Sequence, residues 1–175
     1  GLKQFVNNPP DLKLAAKYEK PLRLHERIQL PPIDLFELLS NLRYRMQWNP
    51  GLDKLEYDEK HLNQVGTKHI CVINQQHIEF ETVQSDFGKD KWVYGEKAKP
   101  PLPFVKSFIN YYILESVGDE TVLTVEMHPQ PWPVFGRLLV PFFKWIIRPQ
   151  LKQLLLNFKA FAESKMYSKQ QSNAA

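Results

Sequence analysis

The stretch from Phe135 to Ala162, FGRLLVPFFKWIIRPQLKQLLLNFKAFA, decides the fold. Its apolar residues recur at helical spacing: Phe135, Leu139, Phe142 and Ile146 form one stripe, and Leu151, Leu154, Leu155, Phe158 and Phe161 continue it. That pattern predicts a long C-terminal helix with one face to bury. Pro149 lacks an N–H and pushes Arg148 away from helical geometry, so a break or strong kink is expected there. Upstream the period changes to two. Alternating runs predict strands at Leu52 to Tyr57, Thr67 to Ile73, His77 to Ser85, Lys91 to Lys97, Val105 to Val117 and Thr121 to His128. Short links carrying turn chemistry, such as Val117-Gly118-Asp119-Glu120, make these strands antiparallel neighbours. Strands closed by one apolar-faced helix imply an α+β domain whose curved sheet wraps that helix and can enclose a hydrophobic cavity.

The earlier residues fit the same plan. Leu22, Leu24, Ile28 and Leu30 alternate with Arg23, His25, Arg27 and Gln29, which predicts a half-buried first strand. Pro31-Pro32 ends it, a short helix follows around Ile33, Phe36, Leu38 and Leu39, and a second short helical piece from Asn41 stops at Trp48-Asn49-Pro50-Gly51. Residues 1–20, with Asp11 as a candidate N-cap for a short helix through Tyr18, read as a lead-in or linker. The domain is expected over 21–166, with a polar tail at 167–175 that frays. The start at Gly1-Leu2-Lys3, without Met, carries the expectation of an upstream domain in a longer protein.

At 175 residues, with 43% hydrophobic and 13% aromatic side chains, the chain can bury a core and is not a disordered segment. The net charge of +4 is scattered except toward the C-terminal helix, and it is too small to point to nucleic acid by itself. Cys71 is the only cysteine, so no internal disulfide can form, and the cytoplasm is the default location. No run reaches the roughly 18–20 apolar residues that span a bilayer.

The order strand, two short helices, antiparallel strands and long final helix resembles the helix-grip superfamily, with its START-like, polyketide cyclase/dehydratase-like and birch-pollen-allergen-like members. The local anchor is Leu35-Phe36-Glu37-Leu38-Leu39 leading to Trp48-Asn49-Pro50-Gly51, and the likeness covers about residues 20–165. It implies about seven strands around the C-terminal helix and a cavity between them. It also implies a cyclase- or dehydratase-like alternative, with Glu26 or Tyr112 as acid/base and Asn110 as a carbonyl or oxyanion donor.

Strand pairing assigns the faces. A loop at Asn74-Gln75-Gln76 sets Val72 against Ile78 and Ile70 against Phe80 on the apolar face, leaving His69, Cys71, Glu79 and Glu81 outside. That set of residue types could bind Zn, but cross-strand charge pairs on a solvated face account for it, and no metal or other cofactor is assigned. A turn at Gly118-Asp119 turns Phe108, Asn110, Tyr112, Leu114, Leu123, Val125 and Met127 inward, and puts Tyr111, Thr124, Glu126 and His128 outside. Trp92 and Tyr94 go inward on bulk, Trp48 to the cavity mouth, and Thr82 and Gln84 join the wall. The ligand-contacting set is therefore Glu26, Trp48, Phe80, Thr82, Trp92, Tyr94, Asn110, Tyr112, Met127, Phe142 and Ile146. Within it Glu26 stands out, because an inward carboxylate would have its pKa raised by desolvation.

The leading expectation is a binding module for a hydrophobic small molecule, lipid-like or aromatic. The chain holds no GxSxG, P-loop, HExxH or Gly-rich dinucleotide loop. A membrane-peripheral or interaction domain ranks behind it. That alternative rests on Trp132, Phe135, Arg137, Phe142, Phe143, Lys144, Trp145 and Arg148, whose aromatics would otherwise line the cavity or core.

Overall fold

The computed structural model describes residues 20–173 apart from Asn63, and side chains through Met166. The short helix expected from Asp11 to Tyr18 lies outside the described residues. Strand β1 (Leu22–Ile28) is followed by helix α1 (Pro32–Ser40), a 3-10 turn (Leu42–Tyr44) and helix α2 (Arg45–Trp48). Strands β2 (Lys54–Tyr57), β3 (Lys68–Ile73), β4 (Gln76–Phe87), β5 (Lys91–Ala98), β6 (Val105–Val117) and β7 (Glu120–Pro131) come next, and helix α3 (Phe135–Asn173) closes the chain. The strands form one seven-stranded sheet in the order β1-β7-β6-β5-β4-β3-β2, antiparallel throughout. This is the α+β architecture expected.

Local chemistry sets the short helices. Pro31 and Pro32 start α1, where a missing N–H costs nothing and the fixed φ suits the first turn. The Asn41 side chain then donates to Glu37 Oε1 at 2.7 Å and accepts from the Arg43 N–H at 3.1 Å. It ends one element and caps the next. The chain turns here, and Arg45 and Trp48 are buried by the second short helix.

Helix α3 differs from expectation in two linked ways. It runs unbroken through Pro141 and Pro149 and continues to Asn173. Both prolines are exposed, so water can take the carbonyls they leave unpaired. Because the helix is continuous, its phase carries through. The buried stripe is Val140, Phe143, Leu151, Leu155, Phe158 and Ala162, with Ile147 and Leu154 packed against the same core. Phe135, Leu139, Phe142 and Ile146 fall on the exposed side. Each Phe or Leu fully buried in the stripe contributes about 1.5–3 kcal/mol relative to exposure, so the stripe fixes α3 on the sheet.

Registers β6–β7 and β5–β6 agree with the faces read from sequence. Asn110 opposes Met127, Tyr112 opposes Val125, Leu114 opposes Leu123, and Tyr94 opposes Tyr112. Trp92 and Tyr94 pack with Phe36, their rings 5.6 and 6.1 Å from it. Strand β3 is a correction. Its turn has two residues, Asn74 and Gln75, with φ of 49° and 64°, and Ile73 therefore pairs Gln76. The one-residue change sets His69 against Phe80 and Cys71 against Ile78, and turns both inward, while Glu79 pairs Ile70 and Glu81 pairs Lys68. The expected His69, Cys71, Glu79 and Glu81 group is split between faces.

A bulge between Thr82 and Gln84 makes a second correction. It keeps Thr82 on the helix side but moves Gln84 to the opposite face, against Gly95. That outer face is itself buried at Val93, Ile109, Tyr111 and Ile113. Glu126 lies there too, held by Arg23 Nε at 2.6 Å and His128 Nε2 at 3.0 Å. Gly95 is required at this point because a Cβ would sit 2.8 Å from the Tyr111 ring and 3.2 Å from Gln84 Cβ. Gly95→Ala should cost about 1–3 kcal/mol by overpacking, read as a lower urea midpoint with unchanged m-value.

Candidate ligand-binding site

Between the sheet and α3 lies a cavity of about 460 Å³. Leu52, Cys71, Ile73, Phe80, Phe108 and Met127 supply much of its apolar wall, and Ile147, Leu151 and Leu154 of α3 complete it. Exposed residues of the loop after α2, Pro50 and Gly51, and exposed Gln150 and Gln153 of α3 frame its opening. Three polar residues from the interior reach the wall: Arg45, Asn110 and Tyr112.

Arg45 is the only charged residue of that lining, and its charge is matched from behind. Its guanidinium grips Glu96 with two hydrogen bonds, Nη1 to Oε2 at 3.0 Å and Nη2 to Oε1 at 2.6 Å. The Tyr94 hydroxyl donates to Glu96 Oε1 at 2.9 Å, and Thr82 Oγ1 lies 3.3 Å from that hydroxyl. Burial alone would push the Glu96 carboxyl up. The Arg45 charge, with the bonds from Arg45 and Tyr94, outweighs it and holds Glu96 below the usual carboxylate range. Burial likewise pulls Arg45 down, but Glu96 more than compensates and keeps it charged.

His69 completes the inner cluster without bonding it. Its Nε2 is 3.7 Å from Glu96 Oε1, too far for a hydrogen bond, and its ring stacks on Phe80 at 5.2 Å. Burial lowers the imidazole pKa to about 4 against the pull of Glu96, so His69 is neutral at pH 7. The Cys71 thiol is pushed up to about 12, chiefly by burial, and is an inert part of the wall. Burial also raises the Tyr112 hydroxyl above its ordinary range, which makes it a donor rather than a base.

Two residues of this lining each hold a buried polar atom without a partner among the described residues: Asn110 Oδ1, an acceptor, and Arg45 Nε, a donor. Buried polar atoms are nearly always satisfied in folded proteins. Trp48 Nε1, both His69 ring nitrogens, Ser85 Oγ and His128 Nδ1 are likewise buried without partners, but those residues do not line the cavity.

Solved structures share the fold. Norcoclaurine synthase from Thalictrum flavum superposes with TM-score 0.61 at 12% identity, covering 87% of this chain and 98% of that one. This is the helix-grip fold. Ara h 8.0201 matches with TM-score 0.61 at 10% identity over 81% of this chain and 96% of its own. A hypothetical protein from Helicobacter pylori matches with TM-score 0.63 at 8% identity over 89% and 99%. Neither a family model nor a curated protein sequence matches the chain. At these identities the likeness is one of fold.

Within this helix-grip fold, Phe80, Asn110, Tyr112 and Met127 of the expected set line the cavity. Thr82 and Tyr94 stand behind it in the Glu96 cluster. Trp92 is half-buried and packs against the core at Phe36, beside the exposed Phe87, rather than at the site. Trp48 is buried, its ring edge-on to Phe158 at 5.2 Å with the Arg45 guanidinium over it at 4.9 Å. Phe142 and Ile146 are exposed on the far side of α3 and do not line the cavity. Glu26 does face α3, but it pairs Lys159 at 3.9 Å, its side chain is 28% exposed, and it is not part of the cavity lining. The acid/base role drawn for Glu26 therefore lies outside this cavity.

Arg45, Glu96 and His69 were not among the expected site residues. The period of two that places Trp92 and Tyr94 inward also places Glu96 inward, and bulk alone overlooked it. His69 was lost to the turn length, and Arg45 to a short helix whose facing only its capping decides.

Proposed function

We propose that this domain binds a neutral amphiphile, an aliphatic or aromatic molecule carrying a hydroxyl or carbonyl group, in the cavity between sheet and α3. The observation that supports the reading is that two residues of an otherwise mainly apolar wall, Asn110 and Arg45, each hold a buried polar atom without a partner among the described residues. The volume is in the range of small-molecule sites, which use a few polar groups to orient an apolar body. A hydroxyl both donates and accepts, so it answers both kinds of atom. Neutrality follows from Glu96: it already holds the Arg45 charge, and a ligand carboxylate would have to compete with a buried bidentate partner.

Thermal shift with a matched pair of probes tests this. A long-chain alcohol should raise Tm with concentration, while the fatty acid of equal length at neutral pH should not. Equal shifts, or a larger one from the acid, would refute neutrality, and no shift with either alcohols or aromatic ketones would refute the binding reading. Native mass spectrometry with organic extraction would identify any ligand already held.

Asn110→Leu separates function from stability. Leucine removes an unsatisfied buried acceptor, so the ligand-free protein should gain about 1–3 kcal/mol, while affinity for the alcohol should fall about tenfold or more. Urea melts without probe and titrations with it give the two numbers.

A further inference from the structure

We propose that the first half of α3 docks on the surface of an anionic lipid bilayer. A helix needs one apolar face to join a core, and this one has two. Val140, Phe143 and Ile147 serve the core, whereas Phe135, Leu138, Phe142 and Trp145 stand at i, i+3 and i+4 on the opposite side, 79, 75, 57 and 72% exposed. Phe142 and Trp145 stack at 5.9 Å, so the exposed face is preassembled as a continuous aromatic patch. Folding of the described residues gives no account of it.

Charge selects the occupant. From Met127 to Ala162 the sequence has no Asp or Glu, while Arg137, Lys144, Arg148, Lys152 and Lys159 fall within it. Lys144 is engaged with the Lys20 carbonyl and Lys159 with Glu26. Arg137, Arg148 and Lys152 are exposed and have no acidic partner among the described residues. A shallow groove of about 520 Å³ runs along Trp145, Ile146, Arg148, Pro149 and Lys152, joining aromatic, aliphatic and basic groups. Tryptophan and phenylalanine beside arginine and lysine, with acids absent, complement an interface of anionic headgroups over acyl chains. Among the described residues no helix is long and apolar enough to cross a membrane, so the contact lies in the interface plane.

Co-sedimentation with phosphatidylcholine vesicles containing about a third phosphatidylserine tests the proposal at low and high salt. The protein should pellet with these vesicles at low salt and much less with pure phosphatidylcholine or at high salt, with a blue shift of tryptophan emission on binding. Phe142→Ser with Trp145→Ser should abolish pelleting, and Arg148→Gln and Lys152→Gln should each weaken it about fivefold. All four positions are exposed, and circular dichroism verifies that each variant is folded. No pelleting at low salt overturns the proposal, as does pelleting that the paired serine variant leaves intact. A dimer in sedimentation velocity that Trp145→Ser dissolves, with no vesicle binding, would assign the face to a second copy and overturn it as well. The test uses no cavity ligand, so its failure leaves the cavity reading standing.

Discussion

Glu96→Gln should destabilise the domain by about 3–5 kcal/mol, because it leaves the Arg45 charge buried against a neutral amide. Arg45 cannot escape by losing its proton, and its side chain, 4% exposed and packed over Trp48, stays largely dry. At about 2–4 °C of Tm per kcal/mol for a chain of this size, the loss should read as roughly 10 °C. The paired change Arg45→Met with Glu96→Leu is the informative control. It removes both charges and should recover most of the loss, because burying an ion pair costs as much desolvation as the attraction returns. If Glu96→Gln shifts Tm by less than about 2 °C, Arg45 and Glu96 do not form a buried ion pair.

Lowering the pH from 7 toward 5 should weaken the fold well before ordinary carboxylates titrate. The cause is His69, whose imidazole pKa falls from 6.5 to about 4 on burial. Between those values the unfolded chain binds the proton and the folded chain does not. The stabilisation is therefore complete above about 6.5 and drains away as pH falls toward 4, with a total on the order of 3 kcal/mol. The groups facing the ring are Glu96, which favours its charged form, and Arg45, which opposes it. Glu96 adds a later loss of the same sign: its depressed carboxyl contributes above the unfolded value and less as pH falls through its folded one. His69→Phe keeps a ring against Phe80 and should flatten the urea midpoint between pH 7 and about 5. A wild-type midpoint that is already flat there would show that His69 takes its proton inside the fold.

Both effects lie in residues the one-dimensional pattern handled least well. Tyr112, Asn110 and Met127 could be placed on the cavity wall because the Gly118-Asp119 turn leaves little freedom in β6 and β7, and one register then orders every side chain. The same reasoning failed at β3 for a local cause. Asn74 and Gln75 adopt positive φ and close a two-residue turn, although glutamine is a poor signal for that backbone. One residue of difference moved His69 and Cys71 from the surface to the core. The bulge before Gln84 did the same on a smaller scale.

Periodicity by itself determined the strand run, the long final helix and hence the helix-grip architecture, because alternation at two and at three to four residues is a property of the chain alone. It could not decide which of two apolar stripes in the first half of α3 meets the sheet. Both satisfy the same spacing, and only the unbroken passage through Pro149 brings Val140 and Phe143 into phase with Leu151, Leu155 and Phe158. Nor could it join Arg45 to Glu96 across 51 positions, since an ion pair between a short helix and a central strand exists only once sheet, turn and caps have set both side chains in one place.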